Sequence, residues 1–118
     1  MIKNIALLKR KEGMSREDFI AYYENKHVPL ILSLLPGIAK YVRNFLSDDG
    51  KRYMFPNASP IDFDVVTEIW LKDQDAYDRF TAEAAKPDVM AAIMADEAHF
   101  LDSSRSRMFV VEERASSI

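Results

Sequence analysis

Residues 63–71, Phe-Asp-Val-Val-Thr-Glu-Ile-Trp-Leu, form the clearest strand in the chain, and it is apolar on both faces. Side chains alternate across a strand, so Val65, Ile69 and Leu71 point one way while Val66 and Trp70 point the other. A sheet with one face in water alternates apolar with polar instead. Two more segments share the departure: Ile38, Val42 and Leu46 oppose Tyr41 and Phe45, and Met108 and Val110 oppose Phe109 and Val111. Both faces of the sheet therefore need cover, and the chain has helices enough for one. An open face of this composition is a larger apolar patch than monomers usually carry. The economical solution is a homodimer in which two sheets pack face to face as a barrel-like core. The alternative is that the second helix pair, or the loop 47–62, wraps round the open face.

The remaining elements follow from spacing and capping. Residues 2–9 read as a strand, and Gly13-Met14 as a turn. Ser15-Arg16-Glu17-Asp18 has the form of a capping box and opens a helix whose stripe is Phe19, Tyr22, Tyr23, Lys26, His27, Leu30 and Leu34. Pro29 lacks an N–H, crowds the carbonyl of Asn25 and disfavours helical geometry at Val28, so the spacing predicts a kink or break there. A second strand runs from Ile38 to Leu46, and the third from Phe63 to Leu71. Asp73 caps a helix through Ala84, and Pro87 opens another that reaches about Phe100. A fourth strand, Ser106–Glu112, closes the order β-α-β-β-α-α-β. This pattern predicts one α+β domain over residues 1–118, ferredoxin-like, with a four-stranded antiparallel sheet and helices on one face. The connection 47–62 is long and holds turn signals around Tyr53-Met54-Phe55. It reads either as a lid or binding loop, or as a loop whose aromatics pack over a core edge.

Composition narrows the function classes. The chain has 118 residues, 48% of them hydrophobic, and 16 basic against 19 acidic side chains without a basic block. That excludes disorder and the footprint of a nucleic-acid binder. With no cysteine, disulfides, thiolate metal sites and cysteine nucleophiles are excluded too. No apolar stretch approaches the roughly 20 residues of a membrane span. The short apolar start followed by basic residues is unlike a secretory signal, which makes the cytoplasm the expected location. GxGxxG, Walker A, HExxH and GxSxG motifs are missing, so no nucleotide, flavin or other cofactor is expected, and any chemistry must run on proton transfer and pocket shape.

Few residues carry such chemistry. Of the two histidines, His27 lies beside Tyr23 on the inner edge of the first helix, two residues before Pro29. An imidazole there is the best general acid or base, the alternative being a ring that satisfies carbonyls freed by the proline. His99 shares a helical face with Asp96 three residues earlier, which makes either an ion pair or a solvated helix face. Glu68 sits mid-strand on the face of Val66 and Trp70 and must be paired or protonated there, with Arg43 or a tyrosine as partner, or else as a polar group in a ligand cavity. Asp62 and Asp64 flank the strand entrance and could bind a cation, although two carboxylates without further ligands make a weak metal signal.

The segment Leu8-Lys9-Arg10-Lys11-Glu12-Gly13-Met14-Ser15-Arg16-Glu17-Asp18-Phe19, followed by Tyr22-Tyr23-Glu24-Asn25-Lys26-His27-Val28-Pro29-Leu30, resembles the EthD family. The resemblance continues through Glu68-Ile69-Trp70-Leu71 and Asp96-Glu97-Ala98-His99-Phe100-Leu101-Asp102 and covers essentially the whole chain. It implies a dimeric α+β barrel, with a cavity between helices and sheet in each protomer and His27 at its wall. The family's namesake is encoded with a haem monooxygenase (cytochrome P-450) system for ether degradation, and oxidoreductase activity is attached to the family on that basis. Fungal relatives act as decarboxylases or dehydratases in aromatic polyketide pathways, and related folds include muconolactone isomerases and cofactor-free monooxygenases. The resulting expectation is a cofactor-independent acid/base enzyme acting on an aromatic, phenolic or lactone metabolite. His27 moves the proton, and Tyr23, Tyr41 or Glu68 orients the substrate. Trp70, Tyr53 and Phe55 wall the pocket, and His99 joins the substrate contacts. The rivals are a non-catalytic accessory protein of an oxidative catabolic pathway and a cofactor-free oxygenase.

Overall fold

The computed structural model describes residues 1–47, 51–52 and 54–118. Strand β1 (Ile2–Leu8) is followed by helix α1 (Arg16–Tyr22), a π-helical turn (Tyr23–His27) and helix α2 (Val28–Leu34). Strands β2 (Ile38–Phe45) and β3 (Val65–Leu71) come next, then helices α3 (Gln74–Ala84) and α4 (Pro87–Glu97). A 3-10 turn (Ser103–Arg105) leads into strand β4 (Arg107–Val111). The sheet is antiparallel throughout, in the order β2-β3-β1-β4, as the ferredoxin-like α+β reading requires.

Local chemistry places the helix starts. The Ser15 hydroxyl accepts the Asp18 N–H at 3.1 Å, and the Asp73 carboxylate accepts the Ala76 N–H at 2.9 Å, each satisfying an amide that the first turn leaves free. At Pro29 the expected break does not occur. Val28 keeps helical angles (φ −58°, ψ −49°), and its N–H bonds five residues back to the Tyr23 carbonyl. The chain answers the proline by widening one turn rather than by interrupting the helix. Pro29 then occupies the first turn of α2, where a missing N–H costs nothing.

The helices pack on one face of the sheet, in two clusters. Ile31, Leu35, Ile69, Leu71, Ala76, Phe80 and Val89 form the first, and Phe19, Tyr23, Val28, Val65, Phe100 and Leu101 the second. On β2 the ladder shifts register between Ile38 and Lys40. Ile38 and Tyr41, which strict alternation sets on opposite faces, therefore both pack against the first cluster. The other face carries Ile5, Leu7, Val42, Val66 and Trp70, all half-buried, and an exposed Phe109, none belonging to either cluster. Neither α3 nor α4 wraps round it. The described part of the 47–62 loop does not close over the core either, since Met54 and Phe55 are 94% and 78% exposed.

Phe19 is the densest point of the second cluster, with its ring 6.1, 6.2 and 5.7 Å from those of Tyr23, Phe45 and Phe100. Phe19→Ala is expected to lower unfolding stability by about 3–5 kcal/mol, read from urea denaturation.

Candidate functional site

Between the two clusters, where the helices stand away from the sheet, lies a cavity of about 360 Å³. That is near the lower end of the usual range for small-molecule pockets, about 300–1,000 Å³. Ala6, Ile31, Leu35, Ile69, Phe80 and Ile93 give it an apolar lining. Its polar groups are Tyr23, His27, Tyr41, Thr67 and Glu97, with Ser103, Ser106 and Arg107 from the chain leading into β4.

The π turn aims two of these groups. Tyr23 and His27 stand at its two ends and are both buried, their rings edge to face with centroids 5.1 Å apart. His27 Nδ1 donates to Asp96 Oδ2 at 2.5 Å, and the Tyr22 hydroxyl donates to Asp96 Oδ1 at 2.8 Å. The carboxylate thus has a partner on each oxygen, and the imidazole is held as the Nδ1–H tautomer with Nε2 as its basic atom. No described residue hydrogen-bonds Nε2. Burial pushes His27 below its ordinary pKa of 6.5, although the hydrogen bond and charge of Asp96 act the other way. The ring is therefore neutral near pH 7 and able to accept a proton.

The phenols of Tyr23 and Tyr41 belong to a short chain of hydroxyls. Tyr23 and Thr67 hydroxyls are 2.6 Å apart, and the Tyr23 and Tyr41 hydroxyls 3.5 Å. Burial raises the pKa of both tyrosines, and for Tyr41 the neighbouring Tyr23 adds to the effect. Tyr22 is pushed up to about 12, first by desolvation and then by its bond to Asp96. All three stay protonated at neutral pH.

An EthD domain matches residues 11–104, most of the chain and every residue of the His27–Asp96–Tyr22 set. The chain belongs to the EthD family. Solved structures give the same fold at low identity. An EthD family protein of Bacillus halodurans is 20% identical with a TM-score of 0.62, the match covering 97% of this chain and 99% of that one. A dimeric ferredoxin-like protein of Thermobifida fusca is 18% identical, TM-score 0.50, with 93% and 88% covered. SnoaB of Streptomyces nogalater, a cofactor-independent oxygenase, is 12% identical, TM-score 0.56, with 98% and 94% covered. No curated protein matches the sequence.

In this EthD domain His27, Tyr23 and Tyr41 meet at one cavity, and the other expected site residues do not join them. Glu68 and Trp70 lie on the opposite sheet face, because β3 sends alternate side chains through the sheet. Glu68 pairs there with Lys3 at 2.9 Å and Asn44 at 2.9 Å, which hold its carboxyl below the usual range, Lys3 contributing most. Arg43, the partner expected for it, binds Glu24 instead at 2.7 Å. Trp70 lies under two ammonium groups, those of Lys3 and Lys40, 4.6 and 5.2 Å from its ring centroid. Phe55 is exposed and lines nothing, and Tyr53 lies outside the described residues. His99 is exposed and stacks on Tyr22 rather than pairing with Asp96. Helix α4 has ended by then, so the shared-face argument fails, and Asp96 points inward to His27. Asp62 binds Arg107 at 2.9 Å, and Asp64 accepts the Arg10 N–H at 2.7 Å. Among the described residues no group of three or more His, Cys, Asp or Glu side chains is placed to hold a metal. No helix among them is long and apolar enough to cross a membrane.

Asp96, Thr67 and Glu97 are the site residues that sequence reasoning missed. A signal existed for each. Asp96 and Glu97 interrupt the apolar stripe Val89, Ile93, Phe100, and Thr67 shares its parity with the buried Val65 and Ile69.

Because the folded imidazole titrates below 6.5, the unfolded chain binds more protons between the two values, and stability rises with pH across that window. His27 thus contributes stability that is full above about pH 6.5 and is lost as pH falls through the folded-state value. Urea unfolding between pH 5 and 8 is expected to show that slope in the wild type and to lose this part of it in His27→Gln.

Proposed function

We propose that the chain is a cofactor-independent acid/base enzyme of the cytoplasm, acting on an apolar, oxygen-bearing small molecule of the aromatic, phenolic or lactone kind. The observation that carries this reading is the Tyr22–Asp96–His27 relay, with Asp96 and His27 buried, ending on a largely apolar cavity. Nε2 of neutral His27 takes a proton from the substrate. The imidazolium so formed is stabilised by Asp96, and the Tyr22 hydroxyl keeps that carboxylate oriented. Tyr23 and Tyr41 remain protonated and offer hydrogen bonds to a substrate hydroxyl or carbonyl. An apolar lining strengthens each of these contacts by excluding water. Isomerisation and dehydration begin from such a proton transfer, and decarboxylation uses the same ring in its protonated form to deliver a proton to the carbon that loses CO2. Oxygenation also begins from proton removal when the substrate carbanion itself reduces oxygen, and the fold likeness to SnoaB favours keeping that reading.

The test is a screen of hydroxyaromatic acids, unsaturated lactones and enones, followed by product analysis and oxygen uptake. His27→Ala is expected to lower turnover by about 10²–10⁴-fold with the fold retained, and Asp96→Asn to lower it less. Oxygen consumption in step with product formation selects the oxygenase reading. Ligands that bind while the wild type turns none over leave the accessory-protein reading.

The open sheet face supports a homodimer. Ile5, Leu7, Val42, Val66 and Trp70 together with Phe109 make it an apolar surface across four strands, and the Thermobifida fusca relative is described as dimeric. Light scattering is expected to give twice the mass of one chain, and Val66→Arg on that face to give a monomer.

A further inference from the structure

Helix α4 turns two consecutive carboxylates toward the interior. Asp96 is taken up by His27 and Tyr22, and Glu97 is not. Consecutive helical residues are about 100° apart around the axis, so Glu97 opens onto the cavity beside the His27–Asp96 bond rather than behind it. Its side chain makes no hydrogen bond or ion pair to any described residue. Around it the cavity wall is apolar: Phe80 and Ala84 come from α3, Ile31 and Leu35 from α2 and its end, and Ile93 from one turn earlier on α4. The titratable groups sharing the wall are Tyr23, His27, Tyr41 and Arg107, and Arg107 is engaged by Asp62 at 2.9 Å. Glu97 is half-buried and without a partner among the described residues, so its carboxyl is available to a ligand that enters the cavity.

We propose that Glu97 is the acid that opposes His27 in this cavity, delivering a proton to a carbonyl oxygen, so that the substrates are ketones, enones or unsaturated lactones. The inference rests on the acid/base reading above and narrows it to enolisation. Three influences push its pKa above the ordinary 4.5. Burial raises its pKa most, the Asp96 charge adds to that, and the last residue of α4 meets the negative end of the helix dipole. In the forward step His27 Nε2 removes a proton from the carbon next to the carbonyl. The C–H electron pair becomes the new C=C bond, the C=O π pair moves onto oxygen, and that oxygen takes the Glu97 proton. The products are an enol, an imidazolium paired with Asp96, and the Glu97 carboxylate. Return of the enol O–H proton to Glu97, with delivery of the His27 proton to the original carbon or to a conjugated one, regenerates the enzyme. It gives exchange in the first case and a double-bond isomer in the second. No electron or cofactor is left over.

The probe is 2-tetralone in deuterated water, with deuterium uptake at its α-carbon followed by NMR. Wild type is expected to accelerate uptake. Glu97→Gln, which can donate a hydrogen bond but cannot transfer a proton, is expected to lose at least about 100-fold of that rate. The fall of its rate at low pH set by His27 is expected to remain. Uptake that needs His27 but is unchanged in Glu97→Gln overturns the assignment and leaves the acid/base reading intact. So does His27-dependent turnover confined to decarboxylation of acids, with no exchange of the ketone. Should Glu97→Gln fail to fold, carboxyl-carbon NMR of the wild type decides. A Glu97 midpoint above the ordinary 4.5, moving down in Asp96→Asn, supports the proposal, and a midpoint at or below that value overturns it.

Discussion

His27 and Asp96 are 69 positions apart in the chain and meet through a hydrogen bond of 2.5 Å with both side chains nine-tenths buried. Neither group is stable in that setting without the other, because a desolvated carboxylate or imidazole left unpaired costs about 1–3 kcal/mol or more. The bond therefore ties the first helical segment to the end of α4 and sets the separation of the two walls between which the cavity lies. Tyr22 completes the arrangement from the first helix, so both oxygens of Asp96 are spoken for by one stretch of chain. Phe100, fully buried, packs its ring 4.8 Å from that of His27 and 5.0 Å from that of Tyr22 and keeps the set dry.

The sheet divides the molecule's polar chemistry into two kinds. On the helix side the Thr67, Tyr23 and Tyr41 hydroxyls are grouped as neutral groups, with the Arg43 guanidinium, held by Glu24, 5.0 Å from the Tyr41 ring. On the other side Lys3, Glu68 and Asn44 make a charged cluster in the middle of apolar strands. Such a cluster contributes little to stability while it is in contact with water, and its geometry fixes which neighbours can approach.

Most of the fold was legible from residue patterns, since capping boxes, strand alternation and turn residues each act over a few positions. Ser15, Asp73 and the parity of Val65, Ile69 and Leu71 are of this kind. Reading failed where a local rule met a global one. Pro29 was expected to kink or break the helix, yet Val28 and Ile31 pack into the core and the helix continues through a wider turn. Half of the candidate site was visible for the same reason: Tyr23 and His27 share one helix stripe. The pairing of His27 with Asp96 was not, because it depends on where α4 ends in space. Spacing offered Asp96 the wrong histidine three residues away, and Glu68 and Trp70 were assigned to a cavity on the far side of their own sheet.

The widened turn carries one further consequence. A π turn holds one residue more than the α-helix it interrupts. The wider turn takes up that extra residue locally, so α2 keeps Val28 and Ile31 on its buried side instead of being swung by the roughly 100° that one residue adds to a regular helix. The turn is thus what lets Tyr23 and His27 both face the interior while the core contacts that follow them are kept.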